Sequence, residues 1–211
     1  MLNVNFDPFP ELRTERLLLR KITDADTEQI FKLRSDKDVM KYIGKKPIVS
    51  MEEAKDWVKL IKDSLENNSG ITWGIVETFD KASLGKTSNE TFFQTSLDKT
   101  FNETFFQTSL PPIIGTIGLW RIIKENYRAE IGYMLLPEYW KKGFIKEAIL
   151  KVAKYGFDEM KLHSIEAHIS PKNVRSATVL ERTGFVREGY FKEDFFFNGV
   201  FEDTAIYSLL A

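Results

Sequence analysis

The chain has 211 residues, 43% of them hydrophobic and 29% charged, which suits a folded domain with its own core and excludes a disordered or fibrous chain. With 30 Lys+Arg against 31 Asp+Glu the formal net charge is −1, so no global field favours a phosphate backbone and a nucleic-acid partner is not expected. The absence of Cys removes disulfides, thiolate metal sites and a cysteine nucleophile; His163 and His168 are the remaining soft ligands, and no metal is expected.

The N-terminal MLNVNFDPFPEL has neither a basic n-region nor an apolar h-region, and no run approaches the roughly 18 apolar residues that cross a bilayer. A cytoplasmic protein without membrane contact is expected. RLLLRKI, residues 16–22, is a compact apolar run that predicts a strand. Thr23 has the character of a helix cap, with Asp24 and Asp26 in the first turn, and predicts a helix to about Ser35. Ser50 and Glu53 have capping-box spacing before a second helix, whose stripe of Ala54, Trp57, Val58, Ile61 and Leu65 follows a 3.6 period. ITWGIVETF (71–79) and IIGTIGLWRII (113–123) predict two antiparallel strands, because no helical pattern separates them.

Between these strands, SLGKTSNETFFQT (83–95) is followed at once by SLDKTFNETFFQT (96–108), the copies differing only at Gly85/Asp98 and Ser88/Phe101. Two short copies are too few for a solenoid, so the repeat reads as a duplication that expands a turn, either as an extended hairpin or as a disordered loop. Asn89-Glu90-Thr91 and Asn102-Glu103-Thr104 match glycosylation acceptors, but that chemistry needs a secretory route, and coincidence is the better reading. If the flanking strands are antiparallel in sequence order, the insertion leaves the sheet at the end where the next strand finishes.

The second half predicts a strand over 128–136, a helix over about 143–160 and a strand over 164–170. A helix from about Asn173 to Thr183 follows, stopped by Gly184 at a left-handed cap, and two strands near 185–195 and 202–209 close the chain. The succession β-α-α-β-β-β-α-β-α-β-β gives an α/β, mixed α+β architecture: a mixed twisted sheet of about seven strands flanked by helices. Residues 1–211 form one domain in this reading, with the tandem-repeat insertion at about 83–110.

The helix near residue 143 begins in WKKGFIK, three lysines without an acid. Backbone N–H groups at a helix start lack intrahelical partners and, with the helix dipole, bind phosphate; Gly143 permits close approach. A turn with solvated lysines is the plainer alternative. IGYMLLPEYWKKGFIKEAI resembles the strand-to-helix motif of the GNAT acetyltransferases, and NVRSATVLERTGFVREGYFKE resembles that family's following helix and strand. The match is to the Rim-type branch, which includes acetyltransferases of ribosomal-protein N-termini, and its elements run from Leu12 to Leu209 apart from the repeat.

That resemblance implies the GNAT acyl-CoA N-acyltransferase fold and an N-acetyltransferase that moves an acetyl group from acetyl-CoA to a primary amine, by direct attack. The acceptor is a protein N-terminal α-amine or a small amine, and the protein is a monomer or homodimer. Lys142, Gly143, Phe144, Ile145 and Lys146 would surround the CoA pyrophosphate through the main chain. The family pattern Gln/Arg-x-x-Gly-x-Gly/Ala is broken by Trp140 at its first position and Ile145 at its last, and Lys141 stands where a second glycine is frequent. Met134, Leu135 and Leu136 would line the pantetheine arm, one N–H polarising the thioester carbonyl; Pro137 stops strand pairing there. Asn173 would bond the cofactor's amide arm, or act only as an N-cap. Ser176 would protonate the leaving thiolate, directly or through water, since Leu180 stands where many members have Tyr; a serine without a role is the alternative.

Glu130 is the implied base, through a water, because the amine must lose a proton before it attacks. Alternation puts it on one face with Gly132 and Met134. Its alternative is a salt bridge to a partner such as Arg128 or Lys124. Glu166 and His168 share a strand face and could serve instead, or simply line a half-exposed sheet. Acceptor specificity is assigned to the first two helices, 24–65, and to FKEDFFFNG. A non-catalytic CoA-binding module or regulator of the same fold is the competing reading, kept open by Leu180, Lys141 and Ile145. A nucleotide-phosphate binder of another fold lacks its glycine-rich loop after a strand.

Overall fold

The computed structural model describes residue 2, residues 4–78 and residues 110–211. Strands β1 (Leu12–Arg13) and β2 (Leu17–Lys21) lead through a 3-10 turn, Asp24–Asp26, into α1 (Thr27–Ser35), α2 (Lys37–Met40) and α3 (Met51–Glu66). Next come β3 (Ile71–Glu77), β4 (Gly115–Ile123) and β5 (Arg128–Leu135), then α4 (Phe144–Asp158), β6 (Ser164–Ile169) and α5 (Val174–Glu181). The hairpin β7 (Val186–Phe197) and β8 (Val200–Leu210) completes the sheet, whose spatial order is β1-β2-β3-β4-β5-β6-β8-β7. The mixed α/β sheet is as predicted, with eight strands rather than about seven. The elements missing from the sequence reading are β1 and α2, both too short to carry a period. The tandem repeat lies outside the described residues.

Alternation along the strands divides the sheet into two faces. On one, Leu17, Leu19, Trp73, Ile75, Ile117 and Ile131 pack with Ala148, Ile149 and Val152 of α4. Burying each large side chain there stabilises the fold by about 1.5–3 kcal/mol. On the other, Ile22, Val76 and Ile113 meet Ile30 of α1 and Ala54 and Val58 of α3, with Trp57 and Ile61 beside them. Leu65, read as part of that stripe, packs against the first cluster instead.

Local chemistry sets the helix starts. Ser50 Oγ accepts the Glu53 N–H at 3.2 Å, while the Glu53 carboxylate takes the Val49 N–H at 2.9 Å, so the return half of the predicted box lands one residue early. At Thr23 the first turn is 3-10, and the Asp26 carboxylate takes the Thr23 N–H at 2.8 Å. Both oxygens of Asp26 also accept from Arg20, at 2.9 and 2.7 Å, in a buried fork. Burial pushes the Asp26 carboxyl up, but hydrogen bonds from Arg20 and Thr23 outweigh it and hold the group below its ordinary value.

The first five strands form an antiparallel succession, so β3 ends and β4 begins where β5 finishes. Gly115 is in register with both Ile75 and Leu135. Thr78 donates its N–H to the Arg16 carbonyl at 2.8 Å. The chain on either side of the insertion is therefore at the sheet end expected for it.

Candidate active site

β5 and β6 are the parallel pair, and they pair for only three residues: Arg128 with Ser164, Ala129 with Ile165 and Glu130 with Glu166. Beyond Glu130 the strands part, while the other edge of β5 stays laddered to β4 as far as Leu135. A wedge-shaped cleft opens along β5. The Leu136 N–H donates to the Ile114 carbonyl at 3.0 Å, so antiparallel parity turns the N–H groups of Met134 and Gly132 toward β4 as well. Those of Leu135, Tyr133 and Ile131 face the cleft. Of the three residues expected along the pantetheine arm, Leu135 is the one with an N–H to offer there, and Tyr133 joins it.

The cleft runs out at the start of α4. After a 3-10 turn, Pro137–Tyr139, Lys141 and Gly143 both take left-handed conformations, φ +62° and +83°. Gly143 meets that requirement without strain. The first intrahelical bond joins the Glu147 N–H to the Gly143 carbonyl at 3.1 Å, which leaves the N–H groups of Phe144, Ile145 and Lys146 ahead of it, the arrangement that binds phosphate. Phe144 is buried and Ile145 packs against the main core, while Lys142 and Lys146 are exposed. Ile145 is accommodated because its side chain joins the core. Trp140 is accommodated too: its Nε1 donates to the Leu135 carbonyl at 2.7 Å and ties the end of β5 to the loop.

Arg16, at the start of the strand predicted over 16–22, braces this loop. Its Nη1 donates to the Lys142 carbonyl at 2.9 Å, its Nε to Glu147 at 2.8 Å, and its guanidinium lies 4.8 Å from the Phe144 ring centre. Burial raises the Glu147 carboxyl, but bonds from Thr14 and from the Arg16 backbone and side chain hold it below its ordinary value. Arg175 lies over Trp140, 4.6 Å from the ring centre, beside the same loop.

Glu130 is buried and pairs with Arg121 Nη1 at 2.9 Å; neither Arg128 nor Lys124 is its partner. Arg128 instead holds Ser164 at 2.9 Å and Glu166 at 3.3 Å. Glu130, Glu166 and His168 converge on one face, with ligand-type atoms within 4.8 Å of one another. Each carboxylate already has an arginine, so the cluster is charge-balanced without a cation. The His168 Nε2 is 3.5 Å from Glu166 but is buried without a hydrogen bond. On the same face of β5, the Trp120 ring lies over Gly132, where an added Cβ would be 2.1 Å from it.

Across the cleft, the Ser176 and Tyr133 hydroxyls are 2.7 Å apart. Burial pushes the Tyr133 phenol up to about 12, with the Ser176 bond opposing, so the pair is neutral at physiological pH. Asn173 Oδ1 accepts the Ser176 N–H at 3.1 Å and caps α5; its amide nitrogen makes no hydrogen bond among the described residues. Leu180 is fully buried in the core, which turns that position of α5 away from the cleft.

Residues 16–186 match the model of the acetyltransferase (GNAT) domain. The chain belongs to the GNAT acetyltransferase family. It is 33% identical to an uncharacterized N-acetyltransferase of Bacillus subtilis, YoaA, over 96% of this chain and 97% of that protein. A putative ribosomal N-acetyltransferase of Bacillus subtilis, YdaF, is 36% identical over 46% of this chain and 55% of that protein. The spermidine N(1)-acetyltransferase of Vibrio cholerae is 27% identical over 89% of each chain. A GNAT-family acetyltransferase structure from Bacillus anthracis superposes with a TM-score of 0.71 at 29% identity, covering 95% of this chain and 98% of that one. The GNAT fold and acetyl-CoA-dependent N-acetyltransferase class follow from these matches. Among the described residues, no helix is long and apolar enough to cross a membrane.

Proposed function

We propose that this GNAT enzyme, read as one domain over residues 1–211, transfers acetyl from acetyl-CoA directly to a primary amine, with Glu130 as base and Ser176 as proton donor. The acceptor is a protein N-terminus or a small amine. The observation that carries the reading is the parting of β5 and β6 after Glu130, which sets a buried carboxylate at the mouth of a cleft whose far end is the open N-terminus of α4.

The residues present suit acetyl-CoA. Main-chain N–H groups from Gly143 to Lys146 would hold the pyrophosphate, Leu135 and Tyr133 would pair with the arm, and the free amide nitrogen of Asn173 would assist. Acetyl-CoA supplies an activated acyl group with a thiolate leaving group. Glu130 takes the proton that an ammonium acceptor must lose, directly or through water, at the point where catalysis by a positioned base is worth about 10²–10⁴ in rate. Ser176 delivers a proton to the thiolate sulfur and recovers one, directly or through water, from the nitrogen as the amide forms, and Tyr133 orients the Ser176 hydroxyl. With no Cys in the chain, transfer needs no thioester on the protein.

The competing reading is a CoA-binding module without turnover, and Leu180, buried at the position where the family resemblance implies a tyrosine, is what favours it. CoA release should be followed with a panel of amines and N-terminal peptides, alongside calorimetric titration with CoA. Binding with turnover is expected; binding without turnover on every acceptor favours the module, and failure to bind CoA sinks both.

A further inference from the structure

Four charged side chains are buried among the described residues: Arg20, Asp26, Arg34 and Glu130. Arg20 and Asp26 pair with each other, and Glu130 pairs with Arg121. Arg34 is left, 7% exposed. Among the described residues no carboxylate lies within salt-bridge distance of it, and its Nε has no hydrogen-bond partner. Its guanidinium stacks 4.8 Å from the Trp57 ring centre, and its Nη1 reaches the Met134 sulfur at 3.9 Å, a weak acceptor. Burial alone pushes its ionisation below the ordinary value. A guanidinium keeps its proton under such conditions, so the protein carries a desolvated positive charge without a counter-charge, an arrangement that costs stability unless something else uses it.

Its position says what could. Met134 shares a face of β5 with Glu130 and Gly132, the face on which Glu130, Glu166 and His168 converge. Arg34 therefore lies on the same side of the sheet as Glu130, and its contact Met134 is four residues, or about 13 Å at about 3.3 Å per residue, along the strand from Glu130. A planar fork suits a carboxylate, and the stacked indole fixes its plane.

We infer that Arg34 binds a carboxylate of the acceptor, so that the substrate is a primary amine carrying an anionic group on the order of 10 Å from its nitrogen, as in a polypeptide N-terminus with an acidic side chain in its first residues. The carboxylate-proximal amine is held between opposite charges, its ammonium toward Glu130 and its anion on Arg34. This rests on the acetyltransferase reading above. It excludes an all-cationic polyamine as the preferred acceptor.

The test uses the full chain, acetyl-CoA and two N-terminal peptides that differ only in Glu against Gln at their second and third positions, with spermidine as the opposite arm. The wild type is expected to show a kcat/KM at least tenfold higher for the Glu peptide than for the Gln peptide or spermidine. Arg34→Gln is expected to bring the Glu/Gln ratio near one, with the KM for acetyl-CoA changed less than twofold; Arg34→Lys recovers part of the ratio. Equal use of the two peptides by the wild type, efficient turnover of spermidine, or a Glu preference that survives Arg34→Gln overturns the inference while leaving acetyl transfer intact. No turnover on any amine overturns both. The wild-type ratio decides the matter even if the variants fail to fold, although removal of an unpaired buried charge is expected to leave the melting temperature unchanged or higher.

Discussion

The two faces of β5 differ sharply. Ala129, Ile131 and Leu135 point into the core against α4, all buried and apolar. Glu130, Gly132 and Met134, interleaved with them, meet Arg121, the Trp120 ring and Arg34. Apart from Tyr133, which shares the core face but turns its hydroxyl to Ser176, one face of the strand holds the sheet to its helix, and the other presents charge and shape to the cleft. Because strand side chains alternate, stability and chemistry are assigned to neighbouring residues that substitution can separate.

Glu130→Gln should separate them most sharply. Loss of the base is expected to lower kcat by about 10²–10⁴, while the melting temperature changes little, because the Arg121 partner is 66% exposed and regains water. A fall of less than tenfold in steady-state turnover would reduce Glu130 to a salt-bridge partner. Ile131→Ala is the converse. It should destabilise the fold by about 2–5 kcal/mol in denaturant melts, with kcat per folded molecule preserved. A kcat defect in the folded fraction would break the division between the faces.

A third prediction concerns the polar pair inside the cleft. Tyr133 has its folded-state ionisation raised to about 12 from an ordinary value of 10. The unfolded chain therefore releases this proton first, and the contribution is full below pH 10 and lost as pH rises from 10 toward 12. Asp26 and Glu147 act in the opposite sense: both are held low, so their contribution is present above the ordinary carboxylate range and lost as pH falls through the lowered values. Tyr133→Phe should reduce the alkaline limb of a stability profile and leave the acid limb unchanged. Its effect on kcat should be about tenfold or less if the phenol only orients Ser176. An alkaline limb of undiminished size in Tyr133→Phe would refute the assignment, since Tyr155 and Tyr207, also raised by burial, account only for the remainder.

Much of this arrangement is legible in the chain. Periodicity reveals the stripe of α3 and the strands of the sheet, and the start of α4 follows from Gly143 among lysines. Glu130 could be named because a carboxylate at the head of an apolar strand is conspicuous beside a recognised motif. Contacts between distant residues are another matter. Nothing local announces that Arg16 braces a loop that begins more than a hundred residues later, that Arg121 rather than Arg128 or Lys124 meets Glu130, or that Arg34 is buried without an acid. The donors along β5 were also hidden. Which N–H groups face the cleft depends on the parity of the ladder with β4, and shifting that ladder by one residue would exchange Leu135 for Leu136.

The smallest expected effect is at Lys141, where a lysine holds a left-handed backbone conformation. A side chain at φ +62° carries a left-handed penalty of roughly 1–2 kcal/mol, which glycine avoids, although glycine also loses about 0.4–1 kcal/mol through its freer unfolded state. Lys141→Gly should therefore stabilise the protein by between about 0 and 1.6 kcal/mol, a shift of a few degrees in the melting temperature. The more informative readout is the KM for acetyl-CoA as a function of salt. If the phosphate is held by the main chain at the start of α4, the KM should change less than twofold and keep its salt dependence, because the N–H groups and helix dipole are untouched. A KM that rises several-fold and loses salt dependence would mean that the exposed Lys141 ammonium supplies the charge, and would move the anion site from the backbone of α4 to the side chains before it.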